Sequence, residues 1–109
     1  MERTVTAAGK SIKLKASALT PRLYRSHLGR DLLLDITTVI GKNKNNAANV
    51  EVCENLAYIM AYHADPSIGT IEEWLDGMGV NAIYELMPEV LELWIDSTAT
   101  TSVAKKNNE

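Results

Sequence analysis

The chain has 109 residues and a net charge of −3, with 46% apolar and 23% charged residues, a composition typical of one globular domain. Its single cysteine, Cys53, excludes an internal disulfide and a thiolate-rich metal site. No apolar run approaches the roughly 20 residues of a transmembrane helix, and the first residues lack the apolar stretch of a targeting segment. We therefore expect a cytoplasmic protein.

The charge is unevenly divided along the chain. Residues 1–50 carry nine Lys or Arg against three acids, a net charge of +6, and residues 51–109 carry eleven acids against two lysines, a net charge of −9. Such asymmetry is compatible with association between copies, with pairing of the two halves inside one molecule, or with a charged partner. Composition alone does not choose among the three.

The N-terminal residues 3–16 are predicted to form a β-hairpin. Ile12 and Leu14 alternate with polar residues, which indicates a strand with one buried face, and Ala8-Gly9-Lys10 provides a turn. Because an isolated hairpin is marginally stable in water, we expect this one to pack against helices.

The stretch TPRLYRSHLGRDLLLDI begins a helical region, with Thr20 as the predicted N-cap and Pro21 in the first turn. The apolar residues share faces only if the region is divided at Gly29 into helices at 21–28 and 31–40. One helix sharply bent at that glycine is the alternative. The predicted inward residues are Leu23, Tyr24, His27, Leu28, Leu32, Leu33, Ile36, Val39 and Ile40, and Asp31, Asp35 and Thr38 are predicted to point away.

A polar loop at 41–46 precedes a helix predicted at 50–64. Tyr58 and Tyr62 lie together on the side opposite the core face, where they form either a second packing layer or a contact surface. The predicted core face consists of Val52, Cys53, Leu56, Ala57, Met60 and Ala64.

Two further helices are predicted in the C-terminal half. Thr70 and Glu73 have the spacing of a capping box and begin a short helix at 71–77. The last helix is predicted at 82–96, where Pro88 should kink it or restart it. The predicted inward residues are Trp74, Leu75, Ile83, Leu86, Met87, Val90, Leu91 and Trp94.

Residues 97–109 have no apolar period and are predicted to be a disordered tail. Residues 1–96 then form a single globular domain. We predict the α+β class, mainly α, with the N-terminal β-hairpin followed by a bundle of four to five short helices.

The titratable residues do not form a recognisable catalytic pattern. His27, His63 and Cys53 are the available acid–base and nucleophilic groups, but Cys53 lies on the predicted core face, where cysteine usually acts as a small apolar residue. The sequence contains no glycine-rich phosphate loop and no paired-histidine metal motif. We predict no enzyme activity and no catalytic, cofactor-binding or metal-binding residue.

Charged and aromatic residues with expected exposure are candidates for contact with another protein. Glu85, Glu89, Glu92 and Asp96 fall on one side of the last helix and form either a solvated face or a surface that docks onto basic residues. Arg30 and Asp31 either contact a partner or bridge the bend between the first two helices. The candidate partner-binding residues are Arg22, Arg25, Arg30, Asp31, Tyr58, Tyr62, Glu85, Glu89 and Glu92.

A small nucleic-acid-associated regulatory protein is the alternative function, based on the basic N-terminal half. Arg22 and Arg25 would contact phosphates together with Lys13 and Lys15. The arginines do not form one continuous stripe, however, and the acidic second half would repel phosphate. We therefore expect neither nucleic acid nor membrane among the partners.

Four strings, taken in chain order, resemble the tail assembly chaperones of long-tailed bacteriophages and prophages of Gram-positive bacteria, over about residues 3–106. They are TPRLYRSHLGRDLLLDI, ENLAYIMAYHADPSI, IEEWLD and IYELMPEVLELW. The resemblance implies a non-enzymatic chaperone that transiently binds the tape measure protein, keeps it soluble and helps recruit the tail tube protein. It also implies a location in the bacterial host cytoplasm and absence from the mature virion.

The resemblance further implies a longer form of the chain, because a −1 ribosomal frameshift often appends a second domain in such proteins. Lys105-Lys106-Asn107 is compatible with an A-rich slippery sequence, and equally with a solubilising tail. Met60, Met78 and Met87 are expected to provide adaptable apolar contacts to the client. The division of charge makes a homo-oligomer a further expectation.

Overall fold

The computed structural model describes residues 1–40 and 47–107. A two-stranded hairpin is followed by helices, so the predicted α+β class, mainly α, is confirmed. The predicted loop at 41–46 lies outside the described residues. In chain order the elements are β1 (Glu2–Ala7), β2 (Lys10–Lys15), α1 (Thr20–Leu28), α2 (Leu32–Ile40), α3 (Ala47–Ala64), a 3₁₀ turn (Pro66–Ile68), α4 (Ile71–Asp76) and α5 (Val80–Asn107).

The hairpin is antiparallel, with Val5 opposite Ile12, and it covers α3 and α5 with its apolar face. Ala8 and Gly9 form its turn with φ values of 51° and 81°, and positive φ at both turn residues is typical of a type I′ hairpin. Leu14 is completely buried. Strand β2 packs on α3 and strand β1 packs on α5, so the hairpin is stabilised by the helices as expected.

Helix α1 ends at Gly29, as predicted from its sequence. Gly29 has φ 68° and ψ 25°, the left-handed conformation of a C-cap, and its N–H donates to the carbonyl of Arg25. The predicted N-cap was wrong, because Leu19 occupies that position and Thr20 is the first helical residue. The hydroxyl of Thr20 is buried and instead accepts a hydrogen bond from the N–H of Ser17 at 2.9 Å.

The inward face of α2 differs from the prediction at two residues. Leu33 is 61% exposed and Asp35 is buried, the reverse of what was expected. The buried residues Leu32, Asp35, Ile36 and Val39 have the spacing i, i+3, i+4, i+7 of a single helix face. The sequence run of three leucines obscured this face, because Leu33 falls near Ile36 and Ile40 on a helical wheel.

Helix α3 is the centre of the fold. The prediction that it is amphipathic was wrong. Residues 56–61 are buried in succession, and six consecutive helical residues extend around the whole circumference. Tyr58 is only 4% exposed, which agrees with the packing layer and not with the contact surface of the two alternatives. The hairpin, α1, α2, α4 and α5 each pack against this helix.

Helix α4 begins with the predicted capping box, in which the Thr70 hydroxyl accepts from the N–H of Glu73 at 3.2 Å and the Glu73 carboxylate accepts from the N–H of Thr70 at 2.9 Å. Helix α5 continues through Pro88 without restarting. Pro88 has no N–H to donate to the carbonyl of Tyr84. Both residues are solvent-exposed, so water can donate to this carbonyl instead.

The predicted end of the last helix at 96 was wrong, because α5 extends to Asn107. No glycine or proline follows Pro88 in this helix, and alanine and lysine near its end favour helical structure. The disordered tail predicted at 97–109 is therefore helical in its described part, and residues 108–109 lie outside it. No helix in the described ranges combines the length and apolar character needed to cross a membrane.

Replacing Gly29 by Ala should lower the free energy of unfolding by about 1 kcal/mol, because Gly29 has a left-handed φ that a side chain disfavours. The matched control is Gly77→Ala, since Gly77 has φ −80° and ψ −1°, a conformation that alanine adopts without strain. Urea denaturation measures both. Equal stability of the two variants would contradict the role assigned to the glycine between α1 and α2.

Candidate functional site

Asp35 connects the two helices on either side of Gly29. Its Oδ2 accepts hydrogen bonds from the Tyr24 hydroxyl at 2.7 Å and from Arg30 Nε at 2.8 Å, and its Oδ1 accepts from Arg30 Nη2 at 2.9 Å. Tyr24 is fully buried, and the Asp35 side chain is 9% exposed. The bidentate arginine holds the pKa of Asp35 below its usual range, although burial opposes this effect.

The candidates Arg30 and Asp31 are therefore placed in structural roles at the bend. Arg30 pairs with Asp35 and not with Asp31. Asp31 is exposed, and its Oδ1 accepts from the N–H of Leu34 at 3.2 Å, which satisfies a free donor in the first turn of α2. Arg30 therefore bridges the bend through Asp35, whereas Asp31 makes its contact with α2, and contact with a partner stays a prediction for both residues.

The candidates Arg22 and Arg25 are exposed on α1, three residues apart and so on one side of the helix. Neither forms an ion pair within the part of the chain that the structure describes. Glu89 is half-buried on α5 and also forms no ion pair there, although its charge helps to raise the pKa of Arg3.

The acidic side of α5 contacts the hairpin of the same molecule. Arg3 donates from Nη1 to Glu92 at 3.0 Å and from Nη2 to Asp96 at 2.9 Å, and Glu85 accepts from the N–H of Ala8 at 3.0 Å. Asp96 makes the largest contribution to the raised pKa of Arg3. Glu92 and Asp96 thus attach β1 to α5 and Glu85 attaches the turn, which corresponds to pairing of the two halves of the chain.

The candidates Tyr58 and Tyr62 belong to a row of aromatic rings that crosses three helices. The ring of His27 lies 4.4 Å from that of Tyr62, Tyr62 lies 6.0 Å from Tyr58, and Tyr58 lies 5.8 Å from Trp74. The hydroxyl of Tyr58 donates to the carbonyl of Gly69 at 2.6 Å. The two tyrosines therefore form the second packing layer that the sequence allowed, and they fix the position of Trp74.

Trp74 lines an open groove of about 610 Å³ between β2, the end of α3 and α4. The apolar part of its lining consists of Ile12, Ala61, Ile68, Trp74 and Met78, and the charged part consists of Lys10, Lys13, Asp65 and Glu73. Ile68, Trp74 and Met78 are half-buried, so their apolar surface is covered only in part.

A second depression of about 200 Å³ adjoins the start of α5, and Met78 lines it as well. Its other lining residues are Val50, Glu54, Leu75, Gly79, Val80, Ile83 and Tyr84. Val80 is 78% exposed and Tyr84 is 57% exposed, which is unusual for two large side chains four residues apart on a helix. We call the two depressions together the Met78 groove.

The three methionines expected to contact a client are not equivalent. Met60 is fully buried in the core, which excludes it from a surface contact. Met78 and Met87 are half-buried, and Met78 alone lines the groove. An unbranched thioether at this position can adapt its shape to different apolar surfaces.

The acid–base and nucleophilic groups are dispersed. Cys53 is buried in the core, which raises the pKa of its thiol. His63 lies ten residues further along α3, a separation of about 15 Å on a helix, and burial lowers its pKa. Across the described residues, no three His, Cys, Asp or Glu side chains are placed to hold a metal ion.

Comparisons with protein-family models, with curated proteins and with solved structures find no match to this chain. The assignment of function therefore depends on the residues and surfaces described above.

Sequence reasoning missed the contacts of Asp35 and Arg3 and the exposure of Val80 and Tyr84. Asp35 could have been found, because it occupies a core position of the pattern formed by Leu32, Ile36 and Val39, and an acid there requires a buried partner. The Arg3 ion pairs join residues 89 and 93 positions apart, so no local pattern indicates them.

Replacing Asp35 by Asn should lower the free energy of unfolding at neutral pH by about 2 kcal/mol. This value is below the cost of breaking a fully buried ion pair, because Arg30 is half-exposed. Asp31→Asn is the matched control, since asparagine caps a helix as well as aspartate does.

The difference between wild type and Asp35→Asn should depend on pH. Because the folded-state pKa of Asp35 is below the ordinary 3.8, its contribution is complete above that value and is lost as the pH falls through the lower, folded-state pKa. Urea titrations between pH 7 and pH 2 measure this. A difference that stays constant over the whole range would contradict an ionised Asp35 in the folded chain.

Proposed function

We propose that this chain is a tail assembly chaperone of a long-tailed bacteriophage or prophage, which binds apolar helical surface of the tape measure protein and keeps that protein soluble. The Met78 groove is the surface assigned to the client. The chain acts by binding alone, without catalysis, cofactor or metal.

The observation that carries this proposal is the incomplete cover over the core at α4 and α5. Trp74, Leu75 and Met78 pack on the core but remain half-buried, and Val80 and Tyr84 extend the apolar surface beyond them. An amphipathic helix placed in such a groove buries apolar area on both partners, at about 25 cal/mol per Å². The order of the four strings that resemble the chaperone family supports the same assignment.

Further parts of the proposal follow from the resemblance. The chaperone helps to recruit the tail tube protein, acts in the cytoplasm of the bacterial host and is not retained in the mature virion. Copies of the chain associate along the client, and a frameshifted longer form carries additional contacts to the tube protein.

Co-expression with the tape measure protein from the same gene neighbourhood tests the function. We expect the tape measure protein to be soluble and to co-elute with the chain, and to precipitate when expressed alone. The double variant Val80→Ser/Tyr84→Ser should reduce the co-eluting amount roughly fivefold or more, because central apolar contacts dominate the affinity of such interfaces.

The control for this experiment is Leu33→Ser/Leu34→Ser, which removes the other exposed pair of large apolar residues, on α2. Loss of binding in this control alone would place the client on α2 and not in the groove. A tape measure protein that precipitates equally with and without the chain would contradict the chaperone function itself.

A further inference from the structure

One acidic side chain lies at the apolar end of the Met78 groove. Glu54, on α3, lines the second depression together with Leu75, Met78 and Ile83, and it is half-buried. The carboxylate of Glu54 forms neither an ion pair nor a hydrogen bond within residues 1–40 and 47–107. Burial, and then the negative charge of Glu51, raise the pKa of Glu54.

The rim of this depression is open to a second helix. Val80 and Tyr84 are separated by one turn of α5, so they form an exposed apolar ridge beside Glu54. A helix that covers this ridge also covers the depression, because both residues line it. The depression is too small for a domain and suits one or two side chains of such a helix.

Covering Glu54 imposes a condition on the occupant. A carboxylate that is transferred from partial solvent contact into an apolar interface loses hydration, and the loss is unfavourable unless a cation or a donor replaces the water. A purely apolar helix supplies neither, so it is disfavoured here even though its apolar residues fit the ridge.

We propose that the Met78 groove selects amphipathic helices that carry a lysine or arginine among their apolar residues, and that this cation pairs with Glu54. Glu54 is then the residue that determines specificity, and Val80 and Tyr84 supply most of the apolar contact. The inference deepens the proposed function and rests on it for the identity of the client, but the charge preference belongs to the groove itself.

Designed peptides provide the probe. The series consists of alanine-rich, fluorescently labelled helices with leucines at i, i+3 and i+7 and one lysine placed at each intervening position in turn. Each peptide is matched with one that carries glutamine in place of lysine. Fluorescence anisotropy measures the affinity of each peptide for the wild-type chain, for Glu54→Gln, and for Val80→Ser/Tyr84→Ser.

For at least one lysine position we expect about tenfold tighter binding than for the glutamine peptide, since a desolvated charge pair contributes far more than an exposed one. Glu54→Gln should abolish this preference, and Val80→Ser/Tyr84→Ser should weaken both peptides. The control is Glu72→Gln, which removes an exposed acid of α4 outside the lining of the depression and should leave the preference intact.

Several results would overturn the inference. These are the absence of a lysine preference, a preference that persists in Glu54→Gln, or equal binding by Val80→Ser/Tyr84→Ser. A concentration-dependent dimer that disappears in both Glu54→Gln and Arg22→Gln/Arg25→Gln would overturn the client as the occupant, because α1 of a second copy would then fill the groove.

The outcome is separable from that of the proposed function. If the tape measure protein binds wild type and Glu54→Gln equally, the charge preference is wrong and the chaperone function stands. If the lysine preference is present but the tape measure protein does not bind, the groove selects a basic amphipathic helix of another partner.

Discussion

The structure depends on one constraint, which is that α3 is apolar around its whole circumference between residues 56 and 61. A helix of this kind is stable only if every side is covered. The hairpin, α1, α2, α4 and α5 each cover one side, and the two-stranded hairpin, which would be marginal alone, is stabilised by covering α3 with β2 and α5 with β1. Arg3 secures the hairpin further through its ion pairs with Glu92 and Asp96.

The cover is thinnest at α4, and this explains why the candidate site lies there. Helix α4 has six residues, none of them fully buried, and a helix so short is not stable by itself. Its position is fixed by the capping box at its start and by the contact between Trp74 and Tyr58. The aromatic row and the core thus hold a short helix whose outer neighbours, Met78 and Val80, remain accessible to another chain.

The features that the sequence predicted well are those with local signals. The hairpin turn, the helix end at Gly29 and the capping box of α4 are each determined by a few adjacent residues. The features that it missed depend on residues far apart. The burial of Tyr58 requires α4 to fold over it, and the ion pairs of Glu92 and Asp96 on α5 require Arg3. The Met78 groove was not predicted. The exposure of Val80 and Tyr84 depends on which helices and strands end near them, and the apolar periodicity of the sequence does not contain this information.

The charged residues of the described structure divide into those that form ion pairs within the fold and those that do not. Arg3 and Arg30 lie in the basic half and form the ion pairs of the described structure, with Glu92, Asp96 and Asp35. Charges that are neutralised inside the molecule cannot steer a partner. Arg22 and Arg25 on α1 and Glu54 in the Met78 groove form no ion pair among the described residues, and neither do Lys13, Lys15 and Glu89, so under the proposed function these charges remain for a partner. Because Glu54 lies among apolar residues, its charge is screened less than a charge on an open helix face, and for this reason the proposal assigns the selectivity to the groove.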